Sequence, residues 1–138
     1  MSPRNTTTGH VLEVMVIPAL KMGGYEVSQQ VHVGWRLGGG KHIVDAVAIK
    51  DGLRILVSLK WQQVGGTAEQ KVQFEVICLA EAVLTGGYRQ AYLVLGAEGW
   101  TLVDFYVSGE LSNHLKDIDR VRIVTLENFI ALANGGRL

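Results

Sequence analysis

The sequence predicts an α/β fold, a mixed central sheet with helices on its faces, on three observations. Three strand-like runs follow one another between residues 25 and 61 with only short turns between them. A long segment with helical periodicity, residues 67–84, comes next. From residue 92 onward, short apolar runs of strand length alternate with helical segments. Strands joined by tight turns pair antiparallel, and strands separated by a helix pair parallel, so the sheet is mixed and both of its faces are covered.

The elements follow in order. Thr6 to Thr8 offer N-caps for a helix over residues 9–22. Pro18 falls inside that helix and is expected to kink or shorten it. Residues 25–35 read as a strand, with Val27, Val31 and Val33 at a rough two-residue period. Residues 42–50 form a second strand, Asp51-Gly52 a hairpin turn, and residues 53–61 a third strand rich in Ile, Leu and Val. After the 67–84 helix come a short strand at 92–96 and a helix over 100–115. A last strand at 121–124 leads into a closing helix, 126–133, capped by Thr125. The order is αβββαβαβα.

The chain has 138 residues, 48% apolar and 19% charged, which suffices for one domain with a real core. Residues 1–8 are expected to be a flexible N-terminus and 9–138 a single domain. Formal net charge is zero, so attraction to a polyanion would have to come from a local cluster of Lys and Arg. Cys78 is the sole cysteine, which excludes an internal disulfide and a cysteine zinc cage. Residues 1–10 lack a charged-then-apolar signal pattern, and no apolar run reaches the ~18 residues of a membrane span. The expectation is a cytoplasmic protein with no membrane partner.

The chemistry is signalled by polar residues on faces that the pattern makes apolar. On the second strand, Ile43, Val47 and Ile49 share a face by alternation, with Asp45 in its middle. On the third, Leu56, Ser58 and Lys60 point one way and Ile55, Val57 and Leu59 the other. On the long helix, Ala68, Val72, Val76, Leu79, Ala82 and Val83 share one side, and Glu75 falls inside that sector. An ionised carboxylate there costs several kcal/mol unless it meets a metal, a cation or a proton. Lys60 and a divalent ion shared with Asp45 would both serve. Each residue also has an ordinary structural reading: Asp45 at a strand edge, Lys60 extending to solvent, Glu75 paired with Lys71 one turn away.

Together these residues resemble the PD-(D/E)XK nuclease superfamily. The resemblance runs from about Gly9 to Gly96 and matches the αβββαβ order of the restriction endonuclease-like core. The run Gly9-His10-Val11-Leu12-Glu13, with Leu20, Gly24-Tyr25 and Val27 after it, is similar to the superfamily's first helix and its entry into the sheet. Val44-Asp45 stands in place of its Pro-Asp pair. Ser58-Leu59-Lys60 stands where the family shows Asp/Glu-x-Lys, so the expected carboxylate is absent. Some restriction endonucleases of this kind take that acid from the following helix, and Glu75 matches the arrangement. Gln70 and Gln73 resemble a glutamine that other members carry there.

The resemblance implies a Mg²⁺-dependent endodeoxyribonuclease, with Mn²⁺ able to substitute. Asp45, Glu75 and the Leu59 carbonyl would hold the metal. Lys60 would position or deprotonate the attacking water and stabilise developing charge. Glu13 is a further acidic candidate, for a second metal or its water shell. Candidate DNA contacts are Trp35, Arg36, Lys41 and His42, around the Gly38-Gly39-Gly40 run, together with Gln62 and Gln63 after the third strand. That glycine-rich segment also reads as an ordinary hairpin loop. Cutting both strands with so short a chain favours a homodimer or higher homo-oligomer. Restriction-like, homing-type and junction-resolving enzymes all remain open. The rival reading is a catalytically inactive member that binds DNA or a protein. A nucleotide-binding domain and a serine hydrolase are disfavoured. No glycine-rich phosphate loop leads from a strand into a helix, and no G-x-S-x-G elbow is present.

Overall fold

The computed structural model describes residues 6–63, 65 and 68–138. A five-stranded sheet, in the order β1-β2-β3-β4-β5, lies between two helical layers. β1 (Glu26–Trp35), β2 (Lys41–Lys50) and β3 (Leu53–Trp61) form an antiparallel meander. β3 pairs parallel with β4 (Gln90–Gly96), and β4 parallel with β5 (Val121–Thr125). The mixed sheet expected from the hairpin and the helical crossovers is therefore present.

Each face of the sheet builds its own core. On one side the long helix α3 (Ala68–Gly86) lays Val72, Val76, Leu79 and Val83 on Val44, Val47, Leu56, Leu93 and Leu95. On the other, Leu12, Val16 and Leu20 of the N-terminal helical arm and Phe129 of α5 (Leu126–Asn134) cover Ala46, Ala48, Val57, Leu59, Tyr92 and Val94. Strict alternation in β3 and β4 explains the division: Leu56, Leu93 and Leu95 face α3, while Val57, Leu59, Tyr92 and Val94 face away.

Alternation does not hold through β2, which corrects the assignment of Ile43 to the face of Val47 and Ile49. Ile43 is exposed, whereas His42 and Val44 are buried, Val44 in the same cluster as Val47. The phase slips between Val44 and Ala46, beside Gln30 of β1, whose φ is 52°. A second irregularity follows at His32/Gly34. These bulges rotate the turn end of the β1–β2 hairpin, so that His42 rather than Ile43 points toward α3.

Other expectations hold with shifted limits. The helix expected over 9–22 begins at Thr6, inside the segment expected to be flexible, and runs as α1 (Thr6–Val11), a π-helical stretch (Leu12–Val16) and α2 (Ile17–Met22). Pro18 neither stops nor shortens it. Proline sits in the first turn of α2, where its missing N–H is least needed, and the wider turn just before absorbs the mismatch. Residues 1–5 of the expected flexible segment, and the Thr67 start of the long helix, lie outside the described residues. The helix expected over 100–115 is two shorter pieces, α4 (Val103–Val107) and a 3₁₀ turn (Glu110–Asn113), because Gly109 between them takes φ 85°. Glu69 of α3 anchors this region, accepting hydrogen bonds from the Thr101 hydroxyl at 2.6 Å and the Leu102 N–H at 2.7 Å at the start of α4. The Thr125 hydroxyl caps α5 as expected, accepting from the Asn128 N–H at 3.2 Å. At Asp51-Gly52 both φ values are positive, 54° and 77°, as a two-residue hairpin turn requires.

The end of α2 closes against the end of α5, and Gly23 makes this possible. A Cβ there would lie 1.8 Å from the Ala133 carbonyl oxygen, a backbone atom that cannot yield alone. Gly23→Ala is expected to destabilise the fold by about 1–3 kcal/mol or more, read as a lower urea midpoint with an unchanged slope. An unshifted midpoint would mean that the two helix ends separate freely.

Candidate active site

The charged centre of the molecule is Glu75, at the middle of α3 and only 2% exposed. The apolar residues around it, Val72, Val76 and Leu79, bury that face of the helix against the sheet and carry the carboxylate in with them. Three basic side chains meet it. His42 Nε2 lies 2.6 Å from Oε1. The Arg36 guanidinium donates to Oε2 at 3.2 Å, and Lys60 Nζ stands 3.6 Å from the same oxygen. The sheet faces explain the meeting. Lys60 follows Leu56 and Ser58 along the α3 face of β3, and the phase slip in β2 brings His42 to the same side. Arg36 arrives from the β1–β2 turn, which two backbone hydrogen bonds close: Arg36 N–H to the Gly40 carbonyl at 2.6 Å and Gly39 N–H to the Arg36 carbonyl at 2.9 Å.

Burial pushes the Glu75 carboxyl up. The hydrogen bond with His42 and the positive charges of Lys60 and Arg36 outweigh burial and bring it down to about 2. Glu75 is therefore an anion at every ordinary pH.

Asp45 lies on β2, the strand next to β3. Its Oδ2 accepts the Leu59 N–H at 2.7 Å, so it is held against the residue before Lys60. Asp45 thus meets β3 at the Leu59 backbone, and Glu75 meets it at the Lys60 side chain. Ser58, where the family pattern has an acid, is buried at 5% exposure on the α3 face.

The remaining candidates are distributed differently. Glu13 is exposed on the π-helical stretch of the opposite helical layer. Trp35 is 60% exposed, and Lys41 and Gln63 are also on the surface. Gln62 is buried, its amide donating to the Gly99 carbonyl at 2.8 Å. His42 and Arg36, read from sequence as DNA contacts, lie on Glu75 instead; His42 is 1% exposed, while the Arg36 side chain keeps 31% of its surface open. Their role as partners of Glu75 was not read from the sequence. The Lys71 pairing considered for Glu75 gives way to Lys60, Arg36 and His42.

A hard divalent cation fits the donor chemistry in kind: two carboxylates and a backbone carbonyl are oxygen donors, and Mg²⁺ commonly takes only one or two protein carboxylates. Among the described residues no three His, Cys, Asp or Glu side chains cluster as a metal cage. The fit carries a condition, since Oε2 of Glu75 is already shared by two cations. The cluster also lies outside the concave region of about 730 Å³ bounded by Tyr106, Leu111, Ile123 and Leu132 near β5.

A family model described as a PD-(D/E)XK nuclease superfamily domain matches residues 4–137. The crystal structure of AF1548, a protein of unknown function, is similar in fold, with a TM-score of 0.50 over 80% of this chain at 15% sequence identity. This chain spans 54% of that one's length. No curated protein matches the sequence.

The Glu75 cluster makes stability depend on acid in a defined direction. The folded carboxyl titrates near 2, against about 4.3 in an unfolded chain, so its contribution is complete above pH 5 and fades as pH falls toward 2. The linked stabilisation is on the order of 3 kcal/mol. Urea midpoints of the wild type and Glu75→Gln are expected to differ most near neutral pH and to converge near pH 2. A difference independent of pH would refute the charged cluster.

Proposed function

Because the chain belongs to the PD-(D/E)XK nuclease superfamily, we propose that it is a metal-dependent endonuclease that hydrolyses phosphodiester bonds in DNA. The observation that carries the reading is that the end of β3 meets both carboxylates, Asp45 at the Leu59 N–H and Glu75 at Lys60; on this reading Glu75 would take the place of the acid missing at Ser58. Asp45, Glu75 and the Leu59 carbonyl would hold Mg²⁺, or Mn²⁺ in its stead. When bound, the metal supplies charge neutralisation at the phosphate and a water of lowered pKa.

The chain's own residues do the rest. Lys60, its side chain partly exposed beside Glu75, orients the attacking water and faces the negative charge that develops on the phosphate. His42 holds Oε1 of Glu75 in one orientation from within the core. Trp35, Lys41 and Gln63 present an exposed aromatic ring, a cation and an amide where a polymer could lie along the surface. Glu13 is a peripheral acidic candidate. An open strand end rather than a cavity suits a polymeric substrate. Cleavage of both strands would use two copies of the chain, one site for each strand.

The second reading, a member that binds DNA without cutting it, draws on Ser58 and on the cations that already neutralise Glu75. Cleavage decides between them. Mg²⁺- or Mn²⁺-dependent cutting of duplex, single-stranded or branched DNA is expected. It should fall at least about 100-fold in Asp45→Ala, Lys60→Ala and Glu75→Ala, with far-UV circular dichroism showing each variant folded. DNA binding without cutting in either metal would favour the inactive reading. Full activity in Glu75→Ala would move the second carboxylate elsewhere, with Glu13 next to test.

A further inference from the structure

The turn end of the β1–β2 hairpin carries a surface that the Glu75 cluster does not use. Val33 and Val44 are buried under α3, and His42 reaches Glu75 there, so alternation leaves Lys41 and Ile43 on the opposite face of the hairpin. Their cross-strand partners are Trp35 and His32. The two rings meet edge to face, with centroids 5.2 Å apart and planes at 86°. Residues three apart on a regular strand face opposite ways. The contact therefore depends on the register slip between His32 and Gly34, where Val33 is the extra residue on β1. The bulge turns both rings to one surface and leaves it open: Trp35 is 60% and Ile43 46% exposed, with His32 and Lys41 exposed beside them. An indole fixed by a neighbouring ring yet open to water is a seat for another flat apolar group.

The charge around this platform selects its partner. Residues 27–44 include Arg36, Lys41, His32 and His42 and no Asp or Glu, in a chain whose formal net charge is zero. Lys41 stands directly across from Trp35. A ring paired with a cation in an acid-free stretch matches a base and its phosphate. Bases inside a duplex are stacked on both sides, whereas unpaired bases have a free π-face. We propose that Trp35, steadied by His32, stacks an unpaired base of DNA with Lys41 on the adjoining phosphate, so that the substrate is single-stranded or branched DNA. This rests on the nuclease reading above for the identity of the polymer and involves no metal. Arg36, the next residue, donates to Glu75, so the platform is joined to the candidate site by one peptide bond.

Fluorescence anisotropy of labelled oligonucleotides in EDTA tests the platform apart from cleavage. The wild type is expected to bind a single strand more tightly than a blunt duplex of equal length. Trp35→Ala should lose at least about fivefold on the single strand and little on the duplex. Trp35→Phe keeps a ring and should retain most of the affinity. A strand of abasic sites keeps the phosphates without the bases and should bind wild type and Trp35→Ala equally. Lys41→Gln should weaken binding of both DNAs and lower the salt slope on the duplex by about 1.

Equal affinity of wild type and Trp35→Ala for the single strand would overturn the platform, and metal-dependent cleavage of any DNA by the wild type would leave the nuclease reading standing beside that failure. A loss confined to the single strand, with no cleavage in Mg²⁺ or Mn²⁺, would keep the platform and refute the nuclease reading instead. Sedimentation velocity covers the remaining occupant: a dimer that dissociates in Trp35→Ala while DNA affinity is unchanged would assign the surface to a second copy of the chain and overturn the proposal.

Discussion

A negative charge buried in the middle of a helix's apolar face governs how this molecule is put together. Desolvating Glu75 costs several kcal/mol, and leaving it unpaired would be expected to unfold that face of the core. The fold answers with basic side chains from three places: His42 on β2, Lys60 on β3, and Arg36 on the turn between β1 and β2. α3 is thereby registered against the sheet by charge as well as by Val72, Val76 and Leu79. Buried ion clusters of this kind generally add little net stability over a well-packed apolar replacement. An apolar residue at 75 would leave a simpler core, which favours the proposal that the cluster is a site rather than a brace.

The sheet supplies the second half of the arrangement. β3 is buried on both faces through its middle, and its end emerges where the β1–β2 hairpin twists past it. Two irregularities, at Gln30 opposite the Val44–Ala46 segment and at His32/Gly34, produce that twist. A regular hairpin would keep His42 on the other face and leave Glu75 without its shortest contact. The strand distortion and the helix carboxylate therefore depend on each other, although they lie over 30 residues apart in sequence.

Most of the architecture was legible because the signals for it are local. Asp51-Gly52 fixes a hairpin, the 3.6-residue period of α3 fixes its buried face, and β3 alternates cleanly around Ser58 and Lys60. Glu75 stood out for the same reason, as a charge inside an apolar stripe. What was not legible follows from where sequence patterns fall silent. β2 is apolar from Ile43 to Ile49 apart from Asp45, and a strand buried on both faces carries no alternation from which a phase slip could be read. The inward turn of His42 was hidden by that. Arg36 sits in a glycine-rich turn, where nothing local reports that a guanidinium crosses to a helix 39 residues away. The π-helical stretch before Pro18 was equally hidden, because proline's usual effect is to end a helix and the accommodation lies in the residues before it.

Ser58 is the strongest sequence argument against a working centre, and its position weakens that argument. It lies two residues before Lys60 on the face that α3 covers, at 5% exposure. Glu75 comes to the same side from the helix itself, meeting Lys60 at 3.6 Å, and on the proposed reading it would stand in for the acid absent at 58. The move has a cost that the family pattern avoids. An acid on the strand is anchored by the sheet, whereas one on the helix must be oriented by something else, and His42 at 2.6 Å is the group placed to do so. On that reading the glutamate and the inward histidine belong to one arrangement, of which Arg36 and Lys60 are the partly exposed members.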